Sequence, residues 1–199
     1  MRITSLERKK VLYTGGNGKL ANQLKTIKTS LDISYPSKAE CNVLSIDSIQ
    51  AYTNKNSEFD IVITGANQFP GIIEHFNCES FNLPAKHLVL IEKLKTKPKY
   101  FINLTSALHQ KYAKKNDEEH YLYRAQKGYA EDLYVRYFRL KHNKETHFIN
   151  LYPGHIDDEI LRNTIAIKFV EMLENIESYK ENQYIFEEQS KSMINFRLA

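Results

Sequence analysis

The sequence predicts an α/β protein built on one doubly wound parallel sheet. Short apolar segments alternate with longer segments of helical periodicity throughout the 199 residues. The apolar segments are nearly continuous, which is typical of parallel strands covered by helices on both faces. Three of the seven glycines, Gly15, Gly16 and Gly18, follow the first apolar segment. No repeat, linker or low-complexity tract interrupts this order, and we expect a single domain over residues 1–199.

The N-terminal half opens with the strand that precedes the glycines. Buried apolar runs indicate strands at 10–14, 32–35, 42–46 and 59–66. The glycine turn leads into a predicted helix at 19–31, in which leucines recur at helical spacing. Asp47 is placed to cap a further helix that ends near Thr53.

The C-terminal half continues the alternation of strands and helices. Helical periodicity predicts helices at 81–94, 118–141 and 157–176. Strands are predicted at 99–106 and 147–152, the second halted by Pro153-Gly154, with a last short strand at 183–187.

Composition and charge exclude several classes of protein. The net charge is +4 and the lysines are scattered, so we expect no nucleic-acid groove. No apolar run is long enough to cross a membrane. Cys41 and Cys78 form neither a ligand pair nor a disulfide framework, and the histidines show no His-x-x-x-His spacing. We therefore expect no metal site and a cytoplasmic location.

The glycine turn has the pattern of a dinucleotide site. A strand, a tight turn and a helix follow each other, with the spacing Gly15-x-x-Gly18-x-x-Ala21. Glycines allow the backbone to approach a pyrophosphate, and Ala21 is small enough for the position that packs on the sheet. An ordinary strand-to-helix turn remains the alternative, because such a motif alone is weak. The Gly-Lys-Ser/Thr ending of an ATP-binding loop is absent.

A tyrosine and a lysine on the long predicted helix suggest proton transfer. Tyr123 and Lys127 are four positions apart and share one face of the helix. A nearby ammonium favours the phenolate and so brings tyrosine, which titrates near ~10, closer to neutral pH. Ser106, at the end of the preceding strand, is placed to meet a ligand. The alternative is that Tyr123 and Lys127 are surface residues without a catalytic role. Such a pair can arise by chance, since Tyr137 and Lys141 form a second one on the same helix.

Several short motifs occur together in one order. They are Thr14-Gly15-Gly16-Asn17-Gly18, Gly65-Ala66-Asn67, Phe81-Asn82-Leu83, Thr105-Ser106, Tyr123-x-x-x-Lys127 and Pro153-Gly154. Over roughly residues 10–156 the sequence resembles the short-chain dehydrogenase/reductase superfamily, which has an NAD(P)-binding Rossmann fold. The glycine spacing is similar to that of the extended branch, and dTDP-4-dehydrorhamnose reductases in particular.

The resemblance implies a catalytic role for four residues. Tyr123 is the acid/base, and Lys127 orients the cofactor ribose and lowers the pKa of the tyrosine. Ser106 hydrogen-bonds the substrate oxygen, with Thr105 beside it, and Asn82 holds the water of a proton relay. The implied cofactor-binding residues are Gly15, Asn17, Gly18, Lys19 and Leu20 at the pyrophosphate, Asn42 and Val43 at the adenine, Gly65 and Ala66 at the adenine ribose, and Lys127, Pro153 and Gly154 at the nicotinamide side.

NADP(H) is the favoured cofactor, with NAD(H) as the alternative. The segment after the second predicted strand lacks the acidic residue that an NAD site usually offers to the ribose 2′-hydroxyl. Ser37 and Lys38 are placed to meet a 2′-phosphate, although Glu40 lies nearby in sequence.

Two departures from the family pattern stand out. The family's Asn-Ala-Gly signature is Gly65-Ala66-Asn67 here, and a short segment at about 155–199 stands where extended members place a substrate domain. The sequence predicts an enzyme that transfers hydride between nicotinamide and a carbonyl or alcohol, such as a keto-sugar or sugar nucleotide. A catalytically silent NAD(P)-binding sensor or scaffold is the alternative. The resemblance further implies a homodimer or homotetramer.

Overall fold

The structure, a computed structural model, describes residues 8–67, 78–105, 121–140, 145–153, 156–179, 182–190 and 193–198, the last two ranges by their backbone only. Strands alternate with helices as predicted. The elements are β1 (Lys10–Tyr13), α1 (Lys19–Leu24), β2 (Asp32–Ser34), α2 (Ile46–Lys55), β3 (Ile61–Thr64), α3 (Glu79–Lys93), β4 (Tyr100–Leu104), α4 (Tyr121–Leu140), β5 (His147–Tyr152), α5 (Glu159–Glu174), a 3₁₀ turn (Ile176–Ser178), β6 (Asn182–Ser190) and β7 (Met193–Leu198).

The strands form one sheet in the order β2-β1-β3-β4-β5-β6-β7. Strands β1 to β6 pair in parallel, and β7 adds an antiparallel edge to β6. The predicted doubly wound parallel sheet is therefore confirmed, while the antiparallel edge was not predicted. The chain reverses its direction of winding between β1 and β3, and ligands of such sheets bind at the carboxyl ends of the strands at this switch point.

Helices cover both faces of the sheet and enclose two apolar cores. On one face α1 packs against α5, and on the other α2 packs against α3 and α3 against α4. Strand β3 lies in the interior of the sheet and is buried throughout, which explains its continuous run of apolar residues. In the part of the chain that the structure describes, no helix combines the length and the apolar character needed to cross a membrane.

One predicted strand is wrong. Residues 42–46 form no strand, because their polar groups bond locally: Asn42 accepts the N–H of Leu44 at 3.2 Å and donates its own N–H to Ser48 at 2.8 Å. Such local bonds compete with strand pairing. The cap of α2 is Ser45, whose side chain accepts the N–H of Ser48, and not Asp47 as predicted.

The other elements are of the predicted type, but some of their bounds differ. Helix α1 ends at Leu24, well before the predicted end at residue 31, and its last turn tightens as the Thr26 N–H bonds to the Gln23 carbonyl. Strand β6 contains the predicted strand at 183–187 and extends beyond it at both ends. The strand at 147–152 has the predicted bounds.

Candidate active site

The glycine turn lies at the switch point and requires glycine at two positions. Gly15 has a φ of 77°, and a Cβ there would lie 2.6 Å from the Ala66 Cα. A Cβ on Gly16 would lie 2.2 Å from the Tyr35 carbonyl oxygen. Both distances are too short for any side chain, so the turn packs backbone against backbone. The turn closes as the Gly18 N–H donates to the Gly15 carbonyl at 3.0 Å.

Thr14 joins the glycine turn to the segment after β3. Its buried hydroxyl accepts the N–H of Ala66 at 3.1 Å and donates to the carbonyl of Ile63 at 3.2 Å. Gly65 is required here as well, since a Cβ would lie 2.0 Å from the Tyr13 ring. The carboxyl ends of β1 and β3 thus form one compact crevice, although the order Gly65-Ala66-Asn67 departs from the family signature.

Lys127 lies at the carboxyl end of β4, beside this crevice. Only 9% of the residue is exposed, and its Nζ donates to the carbonyl of Leu104 at 3.1 Å. The ammonium also lies 5.5 Å from the centre of the Tyr123 ring. Burial lowers the pKa of Lys127 to about 8, because the charged form is poorly solvated there. The predicted pair is therefore brought together on one face of α4.

A small cavity of about 20 Å³ adjoins the Lys127 side chain. This is room for about one water molecule. Its lining residues are Thr64, Ala66, Asn67, Leu83, Pro84, His87, Asn103, Gln126, Lys127, Ala130 and Tyr134. Among them, Thr64, His87, Asn103, Gln126 and Lys127 are polar and buried. The polar lining continues across the sheet, since Thr64 donates to Asn103 at 3.1 Å and Asn103 to Asn150 at 2.9 Å.

His87 bridges two walls of this cavity. Its Nε2 lies 3.1 Å from the Thr14 hydroxyl and its Nδ1 lies 3.2 Å from the Tyr134 hydroxyl. Since Thr14 donates to a carbonyl, we infer that Nε2 carries the proton and that Nδ1 accepts from Tyr134. Burial and the Lys127 ammonium lower the pKa of His87 to about 3, which keeps the imidazole neutral.

Gln126 ties the first turn of α3 to α4. Pro84 lies inside α3 and has no N–H for the carbonyl of Ser80, four residues earlier. Gln126 Nε2 donates to this carbonyl instead, at 2.7 Å, in a buried position. The residue next to Lys127 therefore restores a hydrogen bond that the proline removes.

The other predicted catalytic residues, and the predicted nicotinamide-side residues Pro153 and Gly154, do not line this cavity within the described part of the chain. Asn82 lies in the first turn of α3 with an exposed side chain, and it does not line the cavity that Lys127 adjoins. Ser106 and Gly154 lie outside the described residues. Pro153 is buried after β5, where the Tyr152 hydroxyl donates to Glu131 of α4 at 2.9 Å.

Some of the predicted cofactor-binding residues are buried and others are exposed. Leu20 and Val43 are buried in the two apolar cores, so their side chains serve packing. Asn17, Gly18 and Lys19 are exposed at the turn, where Lys19 pairs with Asp157 at 2.5 Å.

The turn that follows β2 has the pair of reciprocal bonds of a capping box, although no helix begins there. Ser37 donates its N–H to a carboxylate oxygen of Glu40 at 2.7 Å, and its hydroxyl accepts the Glu40 N–H at 3.3 Å. These bonds lower the pKa of Glu40, which keeps its carboxylate charged. The negative charge lies where a 2′-phosphate is expected, and Lys38 is exposed beside it.

The sequence prediction missed three residues of the site, which are His87, Gln126 and Tyr134. One signal was present for His87, because a titratable side chain lies within the apolar stretch of α3 and is buried there. Tyr134 is almost fully buried within an apolar core. Its hydroxyl nonetheless makes a polar contact that burial requires.

Comparison with solved structures finds the same fold. The chain is 14% identical to a small-chain dehydrogenase in complex with NADPH, with a TM-score of 0.66 over 90% of this chain and 95% of that chain. It is 14% identical to a short-chain dehydrogenase from Burkholderia cenocepacia in complex with NADP, with a TM-score of 0.64 over 92% of this chain and 89% of that chain. An NADH-dependent reductase complexed with NAD is 13% identical, with a TM-score of 0.58 over 83% of this chain and 88% of that chain.

No protein-family model matches the sequence, and no curated protein matches it. The likeness lies in the structure and extends over nearly the whole length of both chains. The protein has the fold of the short-chain dehydrogenases.

Proposed function

We propose that this protein is an NAD(P)-dependent oxidoreductase that transfers hydride between nicotinamide and a carbonyl or alcohol. The observation that carries the proposal is the buried Lys127 ammonium, held at the end of β4 beside Tyr123 and next to the glycine crevice. A buried lysine with a lowered pKa is costly to fold and is characteristic of functional sites.

The residues of the crevice fit a dinucleotide. A Cβ on Gly15 or Gly16 would collide with the protein's own backbone, so these two glycines keep the turn tight, and exposed Gly18 is the position where a pyrophosphate would approach the backbone. Bound there, the cofactor would supply or accept the hydride. Gly15, Gly18 and Ala66 would lie along it, and Pro153 would lie toward the nicotinamide end.

The side chains of α4 supply the proton. We propose that Tyr123 donates its phenolic proton to the substrate oxygen during reduction and recovers it in the reverse reaction. The Lys127 ammonium lies over the Tyr123 ring and stabilises the phenolate that forms. We retain Ser106 as the predicted group that hydrogen-bonds the substrate oxygen.

Substitution of Tyr123 tests the chemistry. Positioned proton transfer contributes about 10²–10⁴-fold to rate, so Tyr123→Phe is expected to lower kcat by that factor while leaving the dissociation constant of the cofactor unchanged. Turnover of NADPH with a panel of ketones and keto-sugars measures the effect. Tyr137→Phe is the matched control, since the Tyr137 hydroxyl of α4 donates to Glu92 of α3 at an exposed position. Loss of turnover in the control alone would place the chemistry at Tyr137.

For the cofactor we propose NADP(H), and we expect the negative charge of Glu40 to reduce the preference for NADP(H) over NAD(H). Exposed Lys38 supports a 2′-phosphate, and Lys25 contributes to lowering the pKa of Glu40, which places a second cation nearby. Opposing this, a phosphate that bonded the Ser37 N–H would have to displace the Glu40 carboxylate.

A catalytically silent NAD(P)-binding sensor is the second candidate. The observation that favours it is the exposed position of Asn82, away from the cavity beside Lys127. Cofactor binding without turnover on any carbonyl or alcohol would favour the sensor, whereas turnover that depends on Tyr123 would exclude it.

We also propose that the protein forms a homodimer. Tyr121 and Tyr129 expose 58% and 43% of their surface on α4, and the Tyr129 ring lies 6.3 Å from that of Phe81 on α3. A second copy that covered this aromatic surface would remove it from water. Light scattering after size exclusion measures the mass, and Tyr129→Glu is expected to yield a monomer.

A further inference from the structure

Beyond the residues that the proposed reaction needs, a buried chain of polar groups runs from the glycine crevice to α4. It begins at the Ala66 N–H, passes through the hydroxyl of Thr14 and the imidazole of His87, and ends at the hydroxyl of Tyr134. The residues belong to four separate parts of the fold. Thr14, His87 and Tyr134 are 1%, 2% and 1% exposed, so bulk water does not reach these bonds.

We infer that His87 is a positioning residue that couples the dinucleotide crevice, through Thr14 and Tyr134, to helix α4, which carries the proposed catalytic side chains. This inference rests on the proposed function, because it concerns the affinity for the same cofactor. His87 need not touch the cofactor or the substrate. Its role is to fix Thr14, which in turn holds the Ala66 backbone against Gly15.

The imidazole suits this position because it offers one donor and one acceptor in a fixed plane. With the Tyr134 hydroxyl donating to Nδ1, only Nε2 can carry the proton of the neutral ring. Thr14 then receives a hydrogen bond from His87 and remains free to donate to the Ile63 carbonyl. Burial and the nearby Lys127 ammonium lower the pKa of His87 and keep its imidazole neutral, so no second positive charge lies beside Lys127.

Removal of the Tyr134 hydroxyl would disturb the crevice from a distance. Without it, Nδ1 of His87 has lost its hydrogen-bond donor, and only the bond from Thr14 to the Ile63 carbonyl still favours the proton on Nε2. When Nδ1 holds the proton, Thr14 must donate to Nε2 and loses its bond to the Ile63 carbonyl. The Ala66 backbone is then held less firmly, and a bound dinucleotide must pay for ordering it.

The experiment is a double-mutant cycle read out by cofactor affinity. Purified variants are titrated with NADPH and NADH, and their urea unfolding is measured in parallel. Tyr134→Phe is expected to weaken binding of the preferred cofactor about 3- to 10-fold, as is His87→Leu, while Tyr134→Phe should have no further effect in the His87→Leu background. His87→Gln, which keeps a donor and an acceptor, is expected to bind within about 3-fold of the natural protein.

Tyr137→Phe is the control for loss of a tyrosine hydroxyl from the same helix, and its affinity is expected to be unchanged. A purely structural role for His87 would lower the stability of the variants but leave the affinity of the folded protein intact, and this result would overturn the inference. An equal effect of Tyr134→Phe with and without His87 would also overturn it. If His87→Leu does not fold, Tyr134→Phe and His87→Gln alone decide. Failure of the natural protein to bind either cofactor would instead contradict the proposed function.

Discussion

Replacement of Lys127 by methionine is expected to stabilise the protein while abolishing its function. An unfolded lysine titrates near ~10.4, whereas burial lowers the pKa of Lys127 in the folded chain to about 8. A tenfold difference in proton affinity is worth about 1.4 kcal/mol, so below pH 8 the charged side chain costs the fold about 3 kcal/mol. Loss of its bond to the Leu104 carbonyl offsets about 1–2 kcal/mol of the gain.

The balance at pH 7 is a stabilisation of about 1–2 kcal/mol for Lys127→Met. The stabilisation gained by Lys127→Met is expected to fall as the pH rises. Between about pH 8 and 10.4 the unfolded chain binds more protons than the folded one, so the natural protein gains stability as the pH rises. At pH 9.5 its cost has fallen to about 1 kcal/mol, and the advantage of the variant is expected to disappear.

Urea unfolding of both proteins at pH 7 and pH 9.5 measures this difference. Lys28→Met, at an exposed position, controls for the loss of a lysine and is expected to show no such pH dependence. If Lys127→Met is less stable than the natural protein by the same amount at both pH values, Lys127 is a stabilising structural residue. The argument that it is kept for function at the expense of stability would then be wrong.

Two further predictions concern neighbouring residues. Gln126→Leu should lower the free energy of unfolding in urea by about 1–3 kcal/mol, because the buried Ser80 carbonyl loses the hydrogen bond from Gln126. In the Pro84→Ala background the alanine N–H can replace that donor, so the same substitution should cost less. Equal losses in the two backgrounds would refute the assignment. Glu40→Gln removes a negative charge and keeps the bond from the Ser37 N–H, so calorimetric titrations should show the affinity for NADPH rising several-fold relative to that for NADH. An unchanged ratio of the two affinities would place the 2′-phosphate elsewhere.

The strands and the glycine turn were predictable because their signals are local. The apolar run of β3 and the spacing of Gly15 and Gly18 depend on neighbouring residues and on the period of each element. The strand predicted at 42–46 is wrong, although its signal and the cause of the error are both local. Its apolar residues suggested a strand, but Asn42 bonds to its own backbone neighbours.

The polar chain beside Lys127 was not predictable from sequence. The bond between Thr14 and His87 joins residues 73 positions apart, and the one between His87 and Tyr134 joins residues 47 apart. No local pattern marks such a pairing, which follows from how α3 and α4 pack on the sheet. The role of Gln126 likewise appears only once Pro84 is seen to leave the Ser80 carbonyl without its helical donor.

Calorimetric titration with NADPH and NADH tests the central claim most directly, with Gly18→Asp and Gly18→Asn as a matched pair. Gly18 is the N-cap of α1 in extended conformation, where aspartate and asparagine both cap well, and a Cβ there meets only the Gly15 carbonyl oxygen, at 3.3 Å. Both variants should therefore fold. We expect the natural protein to bind at least one of the two cofactors, Gly18→Asn to bind it more weakly, and Gly18→Asp, with a carboxylate facing the pyrophosphate, to show no binding. A folded natural protein that binds neither cofactor, or a Gly18→Asp variant that binds as tightly as Gly18→Asn, would contradict the account.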